Sequence, residues 1–405
     1  MAIFPLIIIL LFPWSSSADN AEVLPRGVFS LSGNYYHHFD IHKKYNKHGD
    51  AVPLAQDFNR DLDSTVFADL APLDPLVGGK ANIGRSSTEF TLLFDWFDFT
   101  LAYGITDRIL FGVYLPYKHS KNNVKASVDT SRANVGKNAA LNTLAPLWLP
   151  GTVPLTTKDV QNLIGPGLDI NGDGRIDVRG YGYKPVKTWT GSSIGDMQVL
   201  GKYQIFNGGP WLLAVSGGLR LPTGEIDNPD SLVDVPSGDG QTDVLLRAHL
   251  DFIGIKKLSM NGTARYDIQL ADDKTLRVPP SVHMPLTNYK ENVNRNLGDI
   301  VEFEMAGNYN FTTAFSGGLK YRYTYKFKDS VHGKREDSFY TSLEDETNYT
   351  SHIGFVFLRF STVQMFKEKK FPLPLGLQVE YRNRFAGRNG QTKSQYLSGT
   401  LDVFF

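Results

Sequence analysis

The sequence of 405 residues contains no cysteine, which excludes a disulfide framework, a thiolate metal site and a lipid-modified N-terminal cysteine. It also has no net charge, because 42 Lys and Arg residues balance 42 Asp and Glu residues. A nucleic-acid partner is therefore not expected, since such proteins need a basic surface. After the N-terminus, no apolar run approaches the roughly 20 residues of a transmembrane helix.

Aromatic residues and glycine are abundant instead, with 26 Phe, 19 Tyr and 38 Gly. This composition without cysteine favours β-structure outside the cytosol. At the N-terminus an apolar run from Ile3 to Trp14 precedes the small residues Ser16, Ser17 and Ala18. The run is too short for a membrane anchor, so we predict a cleaved signal peptide at 1–18 and a mature chain of 19–405. No Lys or Arg precedes the run, so only the α-amino group carries positive charge there.

The mature sequence alternates between apolar and polar residues with the period of a β-strand. In the segment 313–327, for example, Leu319 and Tyr321 share one face, and Lys320 and Arg322 share the other. Such segments are mostly ten residues or longer, whereas strands of soluble proteins average about 5–6 residues. In a soluble sandwich the apolar face would form a core. In an outer-membrane barrel it would contact lipid, and the charged face would line a lumen.

The lengths of the connections distinguish these two structures. We predict twelve strands, near 26–38, 88–103, 107–118, 194–206, 210–222, 241–253, 257–270, 298–309, 313–327, 349–365, 373–385 and 394–405. Short connections alternate with long ones, which is typical of an up-and-down barrel with periplasmic turns and extracellular loops. The expected fold is therefore an all-β, transmembrane antiparallel β-barrel of about 12 strands. A count of 14 is the alternative, since the long extracellular insertion at 119–193 could contain another hairpin.

Charged residues on the polar faces are the candidate lumen lining. They are Arg220, Arg247, His249, Asp251, Arg265, Asp267, Glu302, Glu304, Lys320, Arg322, Glu380, Arg382 and Arg384. Their mixed signs favour ion pairs that brace the wall and partly fill the interior. The functional alternative is a selectivity filter.

The insertion contains the stretch DINGDGRIDVRG, residues 169–180, which has the spacing of a calcium-binding loop. Candidate ligands are Asp169, Asn171, Asp173, the backbone carbonyl of Arg175, and Asp177. Position 12 of the loop is Gly180, so the usual glutamate is missing, and we predict no flanking helix. We expect weak Ca²⁺ binding that holds the loop in one shape. The alternative is a turn stabilised by Asx hydrogen bonds alone.

Two further segments suggest interactions. The apolar run at 144–153, with Leu144, Trp148 and Val153, would form either a capture surface or an inward-folded plug. The last strand ends at Phe405. A terminal aromatic strand resembles the signal that the bacterial barrel assembly machinery reads, so that machinery is an expected partner.

Three segments resemble a known family: IGDMQVLGKYQI at 194–205, SGGLRLPTGE at 216–225 and GDGQTDVLLRA at 238–248. They are similar to bacterial outer-membrane proteins of the meta-pathway phenol-degradation family. The resemblance is clearest over 190–250 and is not expected to include 119–193. It implies an outer-membrane channel for small hydrophobic or aromatic compounds.

The predicted function is passive uptake of such compounds through the barrel or laterally out of it, without enzymatic activity. The sequence has no H-E-x-x-H motif and no phosphate-binding glycine loop. One alternative is a structural or adhesion barrel whose loops bind partners. The other is a hydrolase with a site at the rim of the barrel, which would need a histidine paired with a serine or an aspartate close together there.

Overall fold

A computed structural model describes residues 20–281 and 284–405 and shows a closed ring of twelve antiparallel strands. The strands are β1 (Phe29–His38), β2 (Asn82–Thr106), β3 (Ile109–Asp129), β4 (Met197–Gly208), β5 (Trp211–Leu221), β6 (Asp243–Ile255), β7 (Leu258–Gln269), β8 (Ile300–Asn310), β9 (Phe315–Lys326), β10 (Tyr349–Ser361), β11 (Leu375–Gly387) and β12 (Gln395–Phe404). Each strand pairs with its neighbour in sequence, which confirms the predicted up-and-down barrel. The predicted signal peptide at 1–18 lies outside the described residues.

The two ends of the chain close the ring. Leu31 of β1 lies opposite Val403 of β12 and opposite Leu101 of β2. At the first residue of β1, the N–H of Phe29 donates to the carbonyl of Phe405 at 2.8 Å, and the N–H of Phe405 donates to the carbonyl of Phe29 at 3.0 Å. Among the described residues, closure leaves no unpaired strand edge in the wall, which lipid could not solvate.

The strands turn their apolar side chains outward. Leu319 on β9 is 65% exposed and Leu358 on β10 is 63% exposed, whereas Glu304 on β8 is only 1% exposed. This is the reverse of a soluble protein, and it follows because the outer face contacts lipid while the lumen holds the polar side chains.

Aromatic pairs on adjacent strands mark the end with the short turns, which faces the periplasm in such barrels and is called the periplasmic end below. Trp211 and Phe252 have ring centroids 4.6 Å apart, and Phe315 and Phe360 are 4.9 Å apart. Phe29 stacks on Phe405 at the closing seam. Such rings form the girdle that anchors a barrel at the membrane interface.

The strands β2 and β3 extend much further than predicted. They have 25 and 21 residues and remain paired from Tyr103 opposite Phe111 out to Arg85 opposite Asp129. Residues 119–129, expected to belong to a loop, therefore continue β3, and Trp189–Ile194 pairs along the same part of β3. The sequence pattern fades here because both faces of the hairpin lie outside the membrane.

The hairpin supports an outer cap, which we define as the extension of β2 and β3 together with residues 39–81 and 130–188. Its core includes Phe67, Ile83, Val135, Leu163 and Leu168, all at most 1% exposed. The run at 144–153 belongs to this cap: Leu144 is buried in the core, whereas Trp148 is 62% exposed.

Short elements fill the cap and the other long loops. The short strands are Lys43–Tyr45, Ala51–Pro53, Asp61–Asp63, Val135–Asn138, Thr143–Pro146, Thr152–Val153, Gly167–Leu168, Val178–Arg179, Trp189–Ile194, Asp272–Arg277, Lys290–Asn296 and Ser330–His332. The α-helices are Asp74–Val77, Thr157–Ile164, Thr341–Glu344 and Val363–Lys367, and the 3₁₀ helices are Gln56–Phe58, Ala68–Leu73 and Asp337–Phe339. Two of the short strands, Asp61–Asp63 and Trp189–Ile194, pair with the outer parts of β2 and β3. The sheet therefore has 14 strands, of which twelve close the barrel wall.

A helix that we did not predict precedes the calcium-like loop. Thr156 and Asp159 form a reciprocal capping box at the start of Thr157–Ile164. Its eight residues interrupt a glycine- and threonine-rich segment, where periodicity is hard to recognise. Within the described residues, no helix has the length and apolarity needed to cross a bilayer.

The facing of β9 can be tested with single cysteines, since the protein has none of its own. We expect a bimane label on Leu319→Cys to be quenched by brominated acyl chains, because Leu319 faces lipid. A label on Thr324→Cys, whose side chain is 8% exposed and faces the lumen, should remain unquenched. Equal quenching at both positions would contradict the assignment of faces.

Candidate functional site

The thirteen charged residues chosen from the sequence all lie on wall strands, at positions that face the lumen. Five of them are 9% exposed or less: His249, Asp251, Asp267, Glu304 and Glu380. The lumen is therefore lined by charged side chains that are packed against one another.

Ion pairs link neighbouring strands in the outer half of the lumen. Arg220 on β5 contacts Asp243 on β6 and, at 2.9 Å, Asp267 on β7. Arg265 on β7 lies 2.6 Å from Glu302 on the next strand, β8.

The same pattern continues across the next strands. Arg322 on β9 donates to Glu304 at 2.6 Å and lies 3.3 Å from Glu302. These pairs cross each strand boundary, so they brace the wall in a place where a lone charge would be costly.

The inner half of the lumen is more tightly filled. Lys320 lies 3.1 Å from Glu380, and Arg359 lies 3.4 Å from Asp402 with both side chains at most 4% exposed. His249 is fully buried, with its Nε2 2.8 Å from the hydroxyl of Ser216. This packing narrows the lumen toward the periplasmic end.

Several lumen residues were not selected from the sequence. Asp243 and Asp402 occupy the polar face of β6 and β12, and their alternation with apolar neighbours could have identified them. Phe355 and Phe357 could not have been found in this way, since they are aromatic residues that face inward, at 4% and 1% exposure. Phe355 packs under the ammonium of Lys320, 4.1 Å from its ring centroid.

A cavity of about 310 Å³ remains in the outer half of the lumen. Its lining comprises Gln198, Arg220, Arg247, Arg265, Asp267, Ile300, Glu302, Arg322, Thr324, Tyr349, Ser351, Ile353, Arg382, Arg384 and Gln391. The lining is predominantly polar and contains six arginines but only two carboxylates.

A second cavity of about 360 Å³ lies in the outer cap, and its lining is mainly apolar. It is formed by Phe58, Val66 and Phe67 of the first long loop, Val128 of β3, Val160 and Ile164 of the cap helix, and Leu232 and Leu286 of later loops, among others. The run at 144–153 lines neither cavity, and its Leu144 packs in the core of the cap.

The N-terminal segment Asn20–Leu24 occupies the periplasmic end of the lumen. The N–H of Ala21 donates to Asp251 at 2.9 Å, and its carbonyl accepts from Gln204 at 2.9 Å. Ala21 is fully buried and packs against Leu212 and Ala214 on the inner face of β5. The segment therefore partly closes the periplasmic end.

Two features couple this segment to its surroundings. A side chain at Gly104 on β2 would overlap the carbonyl oxygens of Leu24 and Pro25, so glycine permits the close passage.

Burial, and secondarily the charge of Asp251, raises the pKa of Glu22 to about 7. The nearby cations Arg359, Lys202 and Lys367 oppose this shift.

The calcium-like loop forms an exposed turn held by its own backbone. Asp169 accepts hydrogen bonds from the N–H groups of Gly172 and Gly174 at 2.7 and 2.8 Å, and Asp177 accepts from Ile170 at 2.8 Å. Asn171 and Asp173 accept from the N–H groups of Asp173 and Arg175. Within the described residues, no group of three His, Asp or Glu side chains is arranged around a metal position. Calcium binding here stays a prediction.

A serine–histidine pair does lie at the rim of the barrel. His119 Nδ1 is 2.6 Å from the hydroxyl of Ser192, while the facing Asp95 accepts instead from His37 and Tyr35. The segment Gly191–Gly195 also has G-x-S-x-G spacing, but Ser193 sits within the strand Trp189–Ile194 and its hydroxyl donates to Ser237 at 2.8 Å. A nucleophile elbow instead requires a sharp turn from strand to helix. Within the described part of the chain, no carboxylate hydrogen-bonds His119.

Protease cleavage near Asp173 tests the calcium prediction. We expect a chelator to increase the cleavage rate, because removing a bound ion would loosen the turn. Cleavage in a neighbouring exposed loop, such as the one containing Lys334, serves as the control. Equal cleavage near Asp173 with and without chelator would leave only a turn held by hydrogen bonds.

Conductance as a function of pH tests the N-terminal segment. Glu22 has a pKa of about 7 when docked, against 4.5 when free, so docking is fully favoured below pH 4.5 and is lost as pH rises through 7. We therefore expect the conductance in planar bilayers to rise between about pH 5 and pH 8. The variant Glu22→Gln should remove this rise.

Gly104→Ala should displace the segment and give high conductance at every pH. Gly399→Ala is the matched control, since an added methyl there meets nothing within 4 Å. If Gly104→Ala showed the same pH-dependent conductance as the wild type, the segment Asn20–Leu24 would not be what restricts the lumen.

Comparison of the fold with solved structures finds an outer membrane channel of the COG4313 group from Pseudomonas putida F1. The two share 13% identity with a TM-score of 0.53, and the match covers 96% of this chain and 100% of the other. This likeness supports the barrel fold. The toluene transporter TbuX of Ralstonia pickettii is more distant, with 10% identity, a TM-score of 0.36, and coverage of 96% and 92%. A search of curated proteins finds no match.

The closed barrel, its lipid-facing exterior and its charged lumen place the protein in the bacterial outer membrane. The profile of the family described as "Putative MetA-pathway of phenol degradation" matches residues 120–344. The match includes most of the insertion 119–193, so the expectation that the insertion lies outside the family pattern is wrong. The outer part of β3 and the cap residues 130–188 lie within the matched range. The chain belongs to this phenol-degradation family of outer-membrane β-barrels.

Proposed function

We propose that the protein is a passive outer-membrane channel for small hydrophobic or aromatic compounds. The observation that carries this proposal is the apolar cavity in the outer cap, at the end of a closed barrel. Its volume of about 360 Å³ lies at the lower end of the range for small-molecule sites, about 300–1,000 Å³. A single aromatic ring with a short substituent suits a cavity of this size.

The cap can capture such a compound because its cavity combines apolar walls with few polar groups. Phe58, Phe67 and Ile164 offer carbon surface, while Gln161 and Thr157 already hydrogen-bond the backbone of Val186 and Val128. Removal of apolar surface from water drives entry without an energy source. The membership in a phenol-degradation family supports this choice of compound class.

Two finer assignments belong to the same proposal. The barrel assembly machinery reads the last strand, which ends in Phe405 at the closing seam. Calcium, where it binds at Asp169–Asp177, holds the cap loop in shape and takes no part in transport.

Uptake measurements test the channel. We expect proteoliposomes to take up phenol, and Ala126→Trp to reduce the rate several-fold, because Ala126 lines the cap cavity and indole would fill it. Ala140→Trp, at an exposed cap position, is the control and should behave like the wild type. A protein that neither conducts ions nor takes up any solute would instead favour the structural or adhesion barrel.

A further inference from the structure

The arginines of the lumen cavity outnumber the carboxylates that pair with them. Six arginines line the cavity, and Arg220, Arg265 and Arg322 pair with the carboxylates Asp243, Asp267, Glu302 and Glu304. Glu380, the next acidic group on β11, lies 3.1 Å from Lys320 and is engaged there. The cavity and its immediate partners thus carry an excess of positive charge.

Arg382 and Arg384 lack a carboxylate partner within the described residues. The two alternate on one face of β11, so both guanidinium groups reach the same cavity, separated along the strand by about 7 Å. Arg382 lies over the ring of Tyr396, 5.0 Å from its centroid. Such a ring orients the cation but does not neutralise it.

Arg384 is held in position by neutral groups. Its Nε donates to Ser351 at 3.0 Å, and its Nη1 donates to the carbonyl and hydroxyl of Thr392 at 2.9 and 2.8 Å. Nη2 makes no hydrogen bond in the described part of the chain, and Arg384 is among the residues that line the cavity. A guanidinium that is fixed in this way needs little rearrangement to bind an anion.

Three residues of the lining offer carbon surface. Ile300, Ile353 and Tyr349 border the same cavity, whose volume is about 310 Å³. A small ligand could therefore place an acidic group on Arg382 and Arg384 and a ring against the isoleucines. Arginine pairs favour planar carboxylates, which accept two parallel hydrogen bonds.

We propose that the Arg382–Arg384 cavity is a binding site for aromatic carboxylates, and that the lumen selects for anions of this class. A neutral hydrocarbon gains nothing from two unpaired guanidinium groups, whereas a carboxylate relieves their mutual repulsion. This inference rests on the proposed channel function, and it specifies the ionised acids, rather than neutral aromatics alone, as compounds that pass the lumen.

Calorimetric titration of the detergent-solubilised protein with benzoate tests the site without requiring transport. We expect saturable binding of benzoate and none of benzyl alcohol, its neutral counterpart. The double variant Arg382→Gln/Arg384→Gln should weaken binding about tenfold or more, since charge-assisted hydrogen bonds are lost. Arg388→Gln, at an exposed position on the same segment, should bind like the wild type. Arg384→Lys, which keeps the charge, should retain part of the affinity.

Planar-bilayer recordings then test selectivity. We expect chloride to permeate faster than potassium, benzoate to reduce the chloride current, and the double variant to lose both properties. Phenol uptake or conductance without benzoate binding and without anion preference would overturn this inference and leave the channel function intact. Benzoate binding by a protein that conducts nothing would support the binding site and overturn the channel function. A chloride current that is reduced by inorganic phosphate but not by benzoate would also contradict an aromatic carboxylate site.

Discussion

The backbone hydrogen bonds between β1 and β12 are the interaction on which the rest of the structure depends. They join the two ends of the chain, and the exchange between Phe29 and Phe405 completes them at the periplasmic seam. Lipid offers no partner for an unpaired N–H or carbonyl, so a ring left open at this seam would have two unsatisfied edges. Closure in turn encloses a lumen and forces every second side chain into it.

Enclosure explains the charge pattern. Once the polar faces are turned inward, Arg220, Arg265 and Arg322 lie close to acidic residues on the next strands, and mutual pairing offsets the cost of their burial. The same lumen leaves Arg382 and Arg384 without acidic partners in the described structure. Arginines that have a carboxylate of the chain within reach brace the wall. Arginines that do not are available to bind an anion in the lumen.

The apolar cavity and the arginine-rich cavity lie at different heights along the barrel axis. The cap offers an apolar cavity, the outer lumen an arginine-rich one, and the periplasmic end is narrowed by ion pairs and by Asn20–Leu24. A compound with an aromatic ring and an acidic group would meet surfaces suited to both parts in turn.

The sequence by itself determined the barrel and the inward face of the charged residues, because alternation with period two fixes the side of the wall on which each residue lies. It left the strand count open between 12 and 14. It could not set the ends of β2 and β3 or the presence of the helix Thr157–Ile164, since outside the membrane neither face of a strand must be apolar. Only the tertiary structure decided which charges meet. Arg384 and Arg220 look alike in sequence, yet Arg220 faces Asp243 and Asp267, whereas Arg384 faces Ser351 and Thr392. Partners across strands depend on register and closure, which no local pattern specifies.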